Sequence, residues 1–198
     1  MYHGEFGCFP PSSIVDASGR PMHSWRVLLL RYQDHELYQA YNFNEPWNGP
    51  NNRKLAARRP TWYGCFNRLD RSKTKTNYAL VVGPGTLFPP GQATSSDDIP
   101  DGPANTIFLV EIADSDIDWM EPRDLDLRTM SLDVNDRKHP GISSYDPTGP
   151  AVAFANWKVW RLQEGRILPE KLRTLLTRDG GEPVDKEELI QHHSLVYE

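Results

Sequence analysis

The chain has 198 residues, 38% apolar, 25% charged and 11% aromatic, with a formal net charge of -5. Those values describe a folded soluble chain with a core of its own and exclude a disordered or collagen-like one. Two cysteines, Cys8 and Cys65, with no Cys-x-x-Cys, exclude a disulfide framework and a zinc-ribbon site.

In chain order, "GCFPPSSIVDASGRP" (7–21) is punctuated by Gly and Pro and reads as an extended segment. Ser24 is placed to cap a helix over "WRVLLLRYQDHELYQAY", whose Val27, Leu30, Leu37, Tyr38 and Tyr41 fall on one face. "NFNEPWNGPNN" (42–52) is a loop, and a short basic helix over 51–59 ends at Pro60. Strands follow at 61–66, 77–83 and 105–113, where β-branched and aromatic residues gather. Between the last two lies a long Pro/Gly/Ser/Asp-rich loop of the kind that is functional or poorly ordered. "AVAFANWKVWRL" (151–162) reads as a hairpin about Asn156-Trp157. "LPEKLRTLLTRDGGE" (168–182) is a helix opened by Pro169, with Leu172, Leu175 and Leu176 inward and Gly180-Gly181 as its stop. The sum is a loop-rich α+β fold, an antiparallel sheet packed on helix, in one domain over 1–198. Residues 1–23 form an extended N-terminal segment and 183–198 a mobile tail.

Charge is uneven. Residues 53–75 carry eight basic side chains against Asp70, and 97–136 carry twelve acids against Arg123 and Arg128. No aromatic ladder or nucleic-acid motif accompanies the basic stretch, so nucleic acid is not an expected partner. No apolar run approaches the ~20 residues of a membrane helix.

Three stretches together resemble a family of prepilin-like proteins found in planctomycete bacteria. "FPPSSIVDASGRPMHSWRVLLLRYQDHELYQAYNFNEPWNGPNN", "YALVVGPGTLF" and "DGPANTIFLVEIADSDIDWMEPRDL" follow its core pattern in order, and "LRTLLTRDGGE" its common ending. The resemblance implies a type II secretion pseudopilin-like head, exported to the periplasm or cell surface. It also implies a membrane attachment made only through an N-terminal helix. "MYHGEFGCFPP" begins about where that helix would end, so the anchor is expected to be absent from this chain. The family's C-terminal signature, a His, nine residues and Asp-Gly, is degenerate here: His139 lies too far upstream, and Asn156-Trp157 stands where Asp-Gly belongs. Trp fits poorly where a tight turn needs φ > 0, so the turn is expected to differ in geometry.

The candidate sites are few. Glu111 ends an apolar strand and is expected as a structural acceptor, with Arg26 as its partner. Asp114, Asp116 and Asp118 alternate as in the first half of a calcium loop, but Trp119 and Leu125 stand where an EF-hand needs Gly and an acid. A looser calcium site on these three is the remaining metal reading. Trp157 and Trp160 have opposite parities, which leaves one of them exposed for a partner or glycan. Ser143 and Ser144 follow His139 without forming a triad, and no nucleophile elbow occurs. No catalytic constellation emerges, so the expected role is structural: association with other pilin-like subunits or with itself. The basic 53–75 and acidic 97–136 stretches would meet head to tail. The alternative is a calcium- or glycan-binding module using the acidic loop and an exposed Trp. A Cys8–Cys65 bridge is open to an oxidising compartment.

Overall fold

A computed structural model describes residues 2–65, 72–181, 189 and 195–197. The fold is α+β, as the sequence predicts. The chain divides into two compact units: Met1–Asn77 with Asp114–Asp124, and Tyr78–Ala113 with Leu125–Glu198.

The first unit begins with a short helix, α1 (Tyr2–Phe6), and an antiparallel ribbon of β1 (Ser13–Val15) and β2 (Pro21–Ser24). Asp16 closes the ribbon, accepting the amides of Ser18 and Arg20, while Gly19 takes φ +79. The expected long helix is two: α2 (Trp25–Gln33) and α3 (His35–Ala40). The break falls at Asp34, whose backbone leaves the helical region at φ -148, ψ 85 and whose side chain accepts the Leu37 amide at 2.9 Å. An aspartate satisfies a free helix N-terminus better than it continues a helix, and that preference divides the segment. The basic helix over 51–59 is a 3-10 turn, Asn52–Arg58. The expected strand at 61–66 is another, Thr61–Tyr63, with Phe66 outside the described residues. The aromatic character that suggested a strand is used instead for packing: Trp25 meets Tyr63 edge-on at 5.8 Å, and Tyr63 stacks on Trp119 at 6.3 Å.

Loop 42–52 owes its shape to buried Asn52. Its side chain accepts the Asn42 amide and donates to the carbonyls of Asn42 and Pro46. Glu45 accepts the amides of Asn51 and Asn52, so the loop's polar groups are satisfied internally.

The second unit holds a six-stranded sheet of β3 (Tyr78–Val82), β4 (Ile107–Glu111), β5 (Leu125–Asp126), β6 (Ala151–Phe154), β7 (Val159–Leu162) and β8 (Leu195–Tyr197). Its order is β5-β3-β4-β6-β7-β8, antiparallel except for the β3–β5 pair. Helix α4 (Pro169–Leu176) lies against β4. Its Leu172, Leu175 and Leu176 are fully buried, each worth roughly 1.5–3 kcal/mol. The 84–104 loop is ordered: Leu87 and Phe88 are buried, Thr94 donates to the Leu87 carbonyl, and Ser95 and Asp98 form a capping box. Asp101 accepts the amides of Gly180 and Gly181, tying that loop to the segment after α4. Of the closing segment 183–198, read as a mobile tail, residues 195–197 pair with β7 as β8, and most of the rest lies outside the described residues.

Candidate functional site

Register places Glu111 opposite Tyr78 at the end of β4, where it is 3% exposed. One carboxylate oxygen accepts the Ser144 hydroxyl at 2.5 Å and the other the Ala151 amide at 2.9 Å. The Arg161 guanidinium stands 3.8 Å away and donates to the Gly149 carbonyl. The neighbouring Ser143 hydroxyl accepts the Ala113 amide, and Asn135, at φ +65, accepts the Ser144 amide. Glu111 is thus the acceptor around which loop 131–150 closes onto its own sheet.

Arg26 is not where the sequence reading put it. It belongs to the first unit and Glu111 to the second, and each has partners within its own unit. Arg26 pairs with Asp124 at 2.7 Å, and the side chains are 0% and 3% exposed. The same Asp124 oxygen accepts the Trp25 indole N–H at 3.1 Å, and Arg26 also donates to the Glu121 carbonyl. Asp124 escaped sequence reasoning because nothing in its spacing separates it from the acids around it.

The three alternating aspartates do not converge. Asp116 pairs with Arg123 at 3.0 Å and Asp118 with Lys75 at 3.2 Å, while Asp114 sits at φ +49. Among the described residues no group of three or more His, Cys, Asp or Glu side chains is arranged to hold a metal. Beside them Trp119 is fully buried and donates to the Ala56 carbonyl, so this corner is an anchoring point of the first unit.

His139 lies on the surface, its Nδ1 2.8 Å from Asp136, and that hydrogen bond holds the Asp136 carboxyl well below the usual range. Ser143 and Ser144, its nearest hydroxyls in sequence, are buried. The sequence reads all six histidines as surface residues, but His23 is buried between the Tyr41 hydroxyl at 3.0 Å and the Phe43 carbonyl at 3.1 Å. Burial lowers its pKa. His192 and His193 lie outside the described residues. Cys8 and Cys65 are both free thiols, so the bridge is not formed here.

The acidic stretch loses most of its free charge to local partners. Besides Glu111, Asp116, Asp118 and Asp124, Asp98 caps a turn, Asp101 holds the two glycines, Glu121 pairs with Arg123, Asp126 with Arg128 and Asp136 with His139. In the basic stretch, Arg58 pairs with Glu36 and Arg59 donates to the Lys75 and Ser72 carbonyls. Arg68 and Arg71 lie outside the described residues.

Of the two hairpin tryptophans, Trp160 is half-buried on β7 opposite Val152, and Trp157 is 64% exposed at the turn. Trp157 donates its amide to the Phe154 carbonyl, and Phe154 in turn donates to Lys158, giving a three-residue connection. Asn156 keeps negative φ and Trp157 takes φ +67, the left-handed position that usually ends a type I turn with a bulge. The turn therefore differs from the two-residue Asp-Gly kind, as the degenerate signature predicts.

Residues 1–65 match DUF1559, a protein family of unknown function. The DUF1559 match covers the extended segment, α2, α3 and the Asn52-centred loop, the same stretch that carries much of the prepilin-like resemblance. No curated protein and no solved structure matches the chain. Among the described residues no helix is long and apolar enough to cross a membrane.

Proposed function

We propose that the protein is a non-enzymatic, pilin-like head on the extracytoplasmic side of the envelope, and that it works by associating with copies of itself or with related subunits. The observation that carries this reading is an apolar display within the DUF1559-matched segment: Phe6, Ile14 and Val15 are 50%, 37% and 52% exposed. A contiguous exposed apolar patch marks an interaction surface, and these three side chains are proposed to contribute to one. The non-enzymatic part is supported by how the polar groups are used. Glu111, Ser144 and Arg161 are bonded into a loop closure, and Arg26 and Asp124 into an ion pair.

Head-to-tail charge pairing between 53–75 and 97–136 has less support, since at least nine of the twelve acids have partners in their own unit. Apolar contact predicts association that survives salt, whereas exposed ion pairs are screened within about 10 Å at 0.1 M. Sedimentation velocity over a concentration series at low and high salt tests this. Self-association at both salt levels is expected, and a monomer throughout contradicts the proposal.

A further inference from the structure

The β6–β7 turn carries a side chain that its backbone disfavours. A bulky residue at φ +67 is a genuine outlier, strained where glycine would not be. That position gains little burial in return, since Trp157 is 64% exposed and meets the Phe108 ring in a T-shape at 5.8 Å. Strain offset by one edge contact and little burial points to the ring's outward face.

The turn is also stiff. Ala155 donates to the Thr106 carbonyl and Asn156 to the Pro103 carbonyl, fixing the tip to the loop before β4. The Asn156 side chain accepts the Lys158 amide at 3.2 Å. The backbone that carries the indole is therefore held in place, which lowers the ordering cost of binding.

We propose that this turn is a saccharide-contact element, with the Trp157 indole stacking on the C–H face of a sugar ring and the Lys158 ammonium reaching its oxygens. The size of the feature selects the ligand. A protein interface of standard size needs roughly 800 Å² per partner around several buried anchors, while one indole offers about 150–250 Å². A single ring flanked by polar Asn156 and cationic Lys158 matches one apolar ring face bordered by hydroxyls or a carboxylate. A nucleobase would bring phosphates, which a chain of net charge -5 disfavours. The contact is distinct from the association proposed above, because the turn lies in the other unit.

The test is titration of the whole chain with chitohexaose and cellohexaose as neutral probes and hexagalacturonate as the acidic one, following the backbone amide resonances of residues 155–159 in every variant and the Trp157 indole N–H in wild type. The expected result is a saturable shift with at least one probe, with Kd near ~1 mM, as suits a single contact. W157G should weaken it at least tenfold without lowering the melting temperature, and W157Y should keep part of it. K158A should weaken the acidic probe more than the neutral ones, because only that probe loses a charge-assisted contact. No shift with any of the three probes, or wild-type binding by W157G, overturns the proposal.

Discussion

Arg26 and Asp124 are 98 residues apart in sequence and form an ion pair at 2.7 Å with almost no solvent on either side chain. The pair joins α2 to the segment 114–124 and so fixes how the first unit is assembled from two separate pieces of chain. Removing one charge from such a pair is more damaging than replacing both, because the survivor stays buried and uncompensated. Asp124→Ala should cost about 3–5 kcal/mol, and Arg26→Met with Asp124→Leu less than the sum of the single changes. Urea denaturation of Asp124→Ala, Arg26→Met, Asp124→Leu and the double variant checks this.

Glu111 offers two acceptors to two donors, the Ser144 hydroxyl and the Ala151 amide. Glu111→Gln sets an NH2 group against one of them, while Ser144→Ala removes one donor to Glu111 and the acceptor of the Asp146 amide. The first should destabilise by about 1–3 kcal/mol and the second by about 1 kcal/mol. Hydrogen exchange localises the effect: amides of loop 143–150 should lose protection before those of α4.

Gly149 stands at φ +91, and a Cβ there would overlap the Leu162 carbonyl oxygen. Backbone has to shift, because no flexible side chain can move aside. Gly149→Ala should cost more than about 2 kcal/mol, whereas Gly165→Ala, at φ +66 with open space around it, should cost only the ~1 kcal/mol of the left-handed region. Thermal unfolding of the two variants separates clash from conformation.

His23 links stability to acid. Burial favours its neutral form, so its folded pKa lies below the ordinary value of 6.5. Between those two values the unfolded chain binds more protons than the folded one, so stability is full above pH 6.5 and declines as pH falls towards the folded pKa. His23→Gln should flatten that decline. Denaturant midpoints at pH 7.5, 6.5 and 5.5 measure it.

Much of this was legible in the sequence wherever a local rule decides the outcome. The α4 leucines, strands β3 and β4, the 151–162 hairpin and its irregular turn all follow from periodicity and turn chemistry. The illegible parts are those decided across distance. The capping strength of Asp34 against helix continuation is a close contest, and it went against the longer helix. The stretch at 61–66 is rich in strand-forming residues, yet Tyr63 is held by the Arg26 carbonyl and the Trp119 ring. Partner choice for Glu111 and Arg26 depends on which pieces of chain share a unit, and spacing carries no record of that.

The central claim is that residues exposed in the first unit make this protein a self-associating head. Sedimentation equilibrium of wild type beside the variant Phe6→Ser with Val15→Ser tests it most directly, with melting temperatures measured in parallel. The account predicts concentration-dependent association of wild type at high salt, a monomeric variant and unchanged thermal stability. A variant that associates as strongly as wild type, or a wild type that stays monomeric at every concentration, would contradict it.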